Sequence, residues 1–259
     1  MDELARAAFG DDPGRWPLPE STTPSQTWLR AVAAGGQGRY ASGFADLDRI
    51  GRAVGVGSVA SLALSTRASF LRQLGRHVDA RQWDGRALAL AGADVDARAD
   101  ALIGLAADAL GIGRFAASAR LLRRAGDVLG DASKGRLPVR FGWVSAELAM
   151  FTGDGAAAVV HAERAVEQAA STGSVRHAVK SDVVLAAALC SAGDQDASRG
   201  VADAALALTQ LLGLMPLSWA LACLLRDIGS AVHTPDRIAA LRDETASAVH
   251  RRGGVWAAR

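Results

Sequence analysis

The chain has 259 residues and a net charge of +2, and half its residues are hydrophobic while only 5% are aromatic. That length suits one elongated helical domain, and the small charge argues for neither a nucleic acid nor an acidic membrane surface, so neither is expected as a partner. The positive charge is almost all Arg, with Lys134 and Lys180 the only lysines and no Asn at all, a bias that suits a GC-rich coding sequence and hence a bacterial source.

The first 23 residues stand apart. A helix-forming start, DELARAAF, runs into GDDPGRWPLPESTTP, where Pro13, Pro17, Pro19 and Pro24 disfavour regular helix and favour extended chain. Residues 1–23 read as a Pro-rich tail, either loose or docked in a groove with Trp16 as its anchor. The start has neither a basic segment nor a long apolar run, so no signal peptide is expected and the cytoplasm is the expected location.

From residue 24 the chain reads as helix pairs. The first covers 24–53, capped by Thr23 or Ser25. GVGSVA, Gly55 to Ala60, matches a dinucleotide-binding pattern in its letters, but that pattern needs a preceding strand and RIGRAV reads as a helix end; GIGRFA, Gly111 to Ala116, matches for the same reason. The second pair covers 58–92 and the third 95–130. Asp94, Asp96 and Asp100 open the third and read as caps and dipole partners in preference to metal ligands. A turn-rich stretch, 130–138, leads to the fourth pair, 137–170, and the fifth covers 173–210. The apolar run 206–225 has the length of a membrane span, but Gln210, Gly213, Pro216 and Ser218 interrupt it and it reads as two buried helices. The sixth pair, 216–250, ends in a charged helix with Thr234 as cap and Pro235 at the first helical position, as suits the end of a stack. Residues 252–259, with Trp256, read as a C-terminal tail.

The pairs share a register. A turn glycine falls at Gly38, Gly75, Gly113, Gly153, Gly193 and Gly229, a spacing typical of helical repeats. Two turns before each lies Ala31, Ala68, Ala106, Ala146, Ala186 or Ala222. One turn into the second helix lies Gly43, Ala80, Ser118, Ala158, Ser198 or Thr234. Further along come the apolar Ile50, Ala87, Ala125, Ala165, Ala205 and Leu241. Antiparallel helices approach closely only where the contact residues are small, so Ala106 is expected against Ser118 and Ala146 against Ala158.

These glycines, the small residues flanking them, and the aromatics Tyr40 and Phe115 just past the turn resemble the tetratricopeptide repeat (TPR). The spacing is longer than that family's, Ala replaces its first-helix Gly, and its terminal proline is missing, so the chain is TPR-like. The resemblance implies an all-α fold: a right-handed α-solenoid of about six antiparallel helix pairs over residues 24–251. It also implies a concave face lined by the first helix of each pair. Groove positions carried across by register are Trp28, Val32, Ser65, Ser69, Arg72, Asp100, Ile103, Leu110, Arg140, Trp143, Glu147, Met150, Lys180, Val183, Ala187, Trp219 and Arg226.

Little in the chain carries chemistry. His77, His161, His177, His233 and His250 show no metal-ligand spacing, there is no nucleophile motif or phosphate loop, and Cys190 and Cys223 read as buried thiols in preference to a disulfide. No enzyme, metal or cofactor is expected. The expected function is a non-catalytic protein-interaction scaffold holding a partner's peptide segment in the concave groove. Trp143 and Trp219 would give affinity, Arg72, Arg140, Lys180 and Arg226 would give orientation and favour an acidic segment, and Glu147 belongs to the same expected partner-binding set. Packing between repeats is the competing role for the two tryptophans. The alternative function is a ligand-sensing regulatory module acting through a partner, and self-assembly into a homo-oligomer stays open.

Overall fold

The computed structural model describes residues 2–130 and 134–257; Asp131 to Ser133 of the expected turn and the last two residues of the C-terminal tail lie outside them. The described residues form thirteen helices: α1 (Glu3–Phe9), α2 (Pro24–Gly36), α3 (Tyr40–Ala53), α4 (Ser58–Gln73), α5 (His77–Leu90), α6 (Val95–Gly111), α7 (Phe115–Leu129), α8 (Arg136–Phe151), α9 (Gly155–Ala170), α10 (Val175–Ser191), α11 (Gln195–Leu211), α12 (Met215–Ile228) and α13 (Pro235–Arg251). Each packs mainly on its sequence neighbours, and the even-numbered helices from α2 to α12 also contact the next even-numbered one. The fold is all-α and solenoid-like, a stack of helical repeats.

Local chemistry accounts for the helix ends. Thr23, Asp94, Asp154, Asp194 and Thr234 each accept a hydrogen bond from the backbone N–H three residues on, so each caps an N-terminus. At the other end, Gly113 has φ +74°. Its N–H bonds to the Leu110 carbonyl and that of Arg114 to the Ala109 carbonyl, which is the Schellman closure that a left-handed residue permits. Gly38, Gly75, Gly153 and Gly193 repeat this pattern of two bonds. Gly229 departs from it: the connection to α13 is longer, and Asp203 of α11 holds it by accepting from the Ser230 hydroxyl and the Ala231 N–H. The expected small-residue contact therefore does not extend to Thr234, which is exposed at the start of α13.

Elsewhere the small residues bring the helices together. Ala31, Ala68, Ala106, Ala146 and Ala186 have no exposed surface, nor do Ala80, Ser118, Ala158 and Ser198. Ala146 and Ala158 belong to one apolar cluster, and the Ser198 hydroxyl donates to the Ala186 carbonyl at 2.7 Å. The apolar run 206–225 is split between α11 and α12 at Gly213, and among the described residues no helix is long and apolar enough to cross a membrane. No disulfide joins Cys190 and Cys223.

The stack curls until its end meets its beginning. The Arg252 carbonyl accepts from the Ala41 N–H at 2.9 Å, and the Arg252 guanidinium donates to the Gln37 carbonyl at 2.7 Å. Beyond α13 the chain runs on to α4, where Ala257 N–H donates to the Leu74 carbonyl at 2.8 Å. Val249, Met215 and Trp256 share an apolar cluster with Ala31, Tyr40 and Leu74. The N-terminal residues complete the closure from inside. α1 packs on α2 and touches α10; the Gly10 carbonyl accepts from Val175 N–H, and the Gln37 side chain donates to the carbonyls of Pro13 and Arg15.

Candidate functional site

The curl encloses a cavity of about 500 Å³ against the inner face, walled by α1 and the even-numbered helices. Arg72, Arg140, Trp143, Glu147, Lys180 and Trp219 line it, as does Trp28. Arg226 does not: it lies at the outer end of α12, ion-paired at 3.0 Å to the exposed Asp227.

All four of the expected cations are engaged by carboxylates. Arg72, at the end of α4, pairs with Asp84 of α5 and, at 2.9 Å, with Asp108 of α6. Both carboxylates are fully buried. Burial alone lowers the proton affinity of Arg72, but the two carboxylates outweigh it and raise it above the usual guanidinium value. Burial raises the Asp84 carboxyl, against the pull of Arg72 and with the charge of Asp108 adding to the rise. Gly104 makes room for this pair, because a Cβ there would stand 2.2 Å from the Asp84 carboxylate. Lys180 lies 3.8 Å from Glu147 and over the Trp143 ring.

Trp143 serves packing and the cavity wall together. It is 8% exposed, its indole N–H donates to the Ser181 hydroxyl at 2.8 Å, and its ring stacks on His177 at 5.3 Å. Trp219 faces Trp256 of the C-terminal segment at 4.4 Å.

The richest corner is legible in the sequence only in part: Asp100 and Arg140 are expected on the groove face, Arg136, Arg176 and Phe9 are not. Arg136 and Arg140 of α8 share the single carboxylate of Asp100, and Arg176 of α10 lies beside them. Asp100 is thus an inner ion-pair partner in mid-helix and not an N-terminal cap. Burial drives each of the three guanidiniums down to about 10; Asp96 opposes the fall for Arg136, Arg72 adds to it for Arg140, and Arg136 adds to it for Arg176. The same burial, then the charges of Arg176, Arg136 and Arg140, holds His177 well below the usual imidazole value. Its Nδ1 sits 2.8 Å from the Ser174 hydroxyl, and the ring is neutral near pH 7.

Phe9 roofs this corner. Its ring lies 5.4 Å from Trp28 and 5.8 Å from His177, with the Arg136 and Arg176 guanidiniums 5.6 and 5.8 Å from its centre. Trp16, the expected anchor, is 42% exposed and lies under the Arg39 guanidinium, away from Trp143 and Arg140. The reason is positional: α1 aims Phe9 inward, and the Pro-rich stretch after it then runs over the α2–α3 turn. A signal for Arg136 and Arg176 did exist, since each lies four residues before a recognised groove position, Arg140 and Lys180, on the same helix face. Among the described residues no group of His, Cys, Asp and Glu is placed to hold a metal ion. No protein-family model and no curated protein matches this chain.

Proposed function

We propose that this protein is a non-catalytic binding module: a right-handed, TPR-like stack of six helix pairs that holds a small ligand against its concave face and acts, in the cytoplasm, through a partner. The supporting observation is the cavity itself. Its volume of about 500 Å³ lies within the ~300–1,000 Å³ typical of small-molecule sites. Trp28, Trp143 and Trp219 offer flat apolar walls, and the arginines offer directed donors. The carboxylates around it are committed to arginine or lysine, which suits recognition better than proton transfer. A ligand that touches α2, α8, α10 and α12 at once would bias the curl of the stack, a route to signalling through shape.

The scaffold reading keeps one observation in its favour. A peptide segment already lies on the inner face, namely α1, with Arg176 donating to the Ala8 carbonyl at 3.2 Å and Val175 N–H to the Gly10 carbonyl at 3.1 Å. A partner's segment would take that place. Two measurements separate the readings. If the module takes a small ligand, a low-molecular-weight fraction of host extract raises the melting temperature of the full chain, because a ligand bound only by the native state stabilises it. If it is a scaffold, a specific host protein co-purifies in stoichiometric amount, and Phe9→Ala, which loosens α1, increases the yield. A melting temperature unmoved by any extract fraction would count against the first reading.

A further inference from the structure

The inner corner carries more positive charge than its own carboxylates balance. Arg136, Arg140 and Arg176 have one carboxylate in ion-pair contact, Asp100; Asp96 acts on Arg136, and Asp84 and Glu147 on Arg140, only from a distance, Glu147 standing by Lys180 and Asp84 and Asp108 pairing with Arg72. Arg176 makes no ion pair among the described residues; its contact with the Ala8 carbonyl uses one terminal nitrogen, and its Nε is buried without a hydrogen-bond partner. Arg136 and Arg140 keep 21% and 18% of their side-chain surface open, and both line the cavity. Clustering like charges away from bulk water is unfavourable. Stacking on Phe9 and Trp28 offsets part of that cost, but the ring faces cannot accept hydrogen bonds from the planar guanidinium edges.

From this we infer that Arg136, Arg140 and Arg176 form the head-group site for an organic anion, whose phosphate or carboxylate they clasp and whose flat apolar body lies in the cavity along the wall that Trp28, Trp143 and Trp219 line. The inference rests on the small-ligand reading above and adds its chemical class. Guanidinium forks match both head groups through paired N–H donors. Arg176 is the decisive member, because it alone has no carboxylate to release. His177 beside it stacks on the Trp143 wall.

The test uses the full chain with phenyl phosphate, benzoate, phenol and inorganic phosphate, followed by calorimetry and thermal melting at fixed ionic strength. One or both aromatic anions are expected to bind more tightly than phenol or inorganic phosphate, raising the melting temperature by about 3 °C at tenfold excess over Kd. The tighter of the two identifies the head group. Arg176→Gln is expected to weaken the anion at least about tenfold while its circular dichroism stays that of the parent, Arg176→Lys to retain part of the response, and Arg226→Gln, outside the cavity, to change nothing. Unchanged anion affinity in Arg176→Gln overturns the assignment. Should phenol bind as well as the anions and lose its affinity in Trp143→Phe, the anion site falls and the small-ligand reading stands. If neither these compounds nor any extract fraction moves the melting temperature, both fall.

Discussion

Ser118 and Ser198 hold the same register position in two repeats, yet their surroundings separate them. Both are fully buried, but the Ser198 hydroxyl donates to the Ala186 carbonyl while the Ser118 hydroxyl has no partner. A buried hydrogen bond is worth about 1 kcal/mol net, and an unpaired buried polar group costs about 1–3 kcal/mol. Ser198→Ala is therefore expected to lower stability by about 1 kcal/mol, and Ser118→Ala to leave it unchanged or raise it; urea unfolding of the two variants checks the contrast. Asp84 sits at the other extreme. Removing it in Asp84→Ala leaves Arg72 buried with Asp108 alone, and a broken buried pair costs about 3–5 kcal/mol; a loss under 1 kcal/mol would show that water replaces the carboxylate.

His177 supplies a pH signature. Its folded-state proton affinity is depressed, by burial first and the three arginines second, whereas in the unfolded chain it takes up a proton near pH 6.5. Below that pH the unfolded state binds more protons, so the contribution of His177 falls as pH drops from about 6.5 toward its depressed folded value. Asp46, Asp84 and Asp182, raised by burial, act in the opposite sense, so the effect must be isolated by substitution. His177→Asn keeps an acceptor near Ser174 and removes the titration. Its melting temperature should fall less than the parent's between pH 7.5 and 5.5, and parallel curves would place the acid sensitivity elsewhere.

At the scale of the element, each helix pair depends on close approach and a closed turn. Ala146 has no exposed surface and lies in one cluster with Ala158. Ala146→Leu adds three carbons where none fit, and overpacking of this kind costs about 1–3 kcal/mol; a neutral result in urea unfolding would mean that α8 and α9 can separate freely. At Gly113 the space is open, with no atom within 4 Å of an added Cβ, so only the positive φ of +74° opposes substitution. Gly113→Ala should therefore cost about 1–2 kcal/mol from backbone strain alone.

The whole molecule is held by contacts between its ends. Ala257 against Leu74, Arg252 against Gln37 and Trp256 in the apolar cluster of Ala31, Tyr40 and Leu74 join the last helices to the first, and Trp256 also stands on Trp219 of α12. Trp256→Ala removes a partly buried aromatic plate, a loss below the ~1.5–3 kcal/mol of full burial, and uncovers Trp219 in the cavity wall. Small-angle scattering should then report a larger radius of gyration, and Trp219 fluorescence a wetter environment. An unchanged radius would mean that Val249 and Tyr40 suffice to keep the curl.

Helix ends were legible in the chain because they are decided within a few residues. A capping Asp reaches its own N3 amide, a turn glycine frees its own φ, and a small residue admits the next helix. The groove face was legible for the same reason, since helical register carries Arg72, Arg140, Trp143, Glu147, Lys180 and Trp219 to one side. The closure was not. Curl accumulates from small rotations at each helix-to-helix contact, and no local pattern encodes their sum, so nothing in GGVWA announces contact with residues some two hundred positions earlier. Phe9 over Trp28 and the meeting of Arg136, Arg140 and Arg176 around one carboxylate follow from that closure. Sequence determined the repeating unit, whose physics is short-ranged; only the tertiary structure decided the cavity, because it exists where distant repeats bend round to face each other.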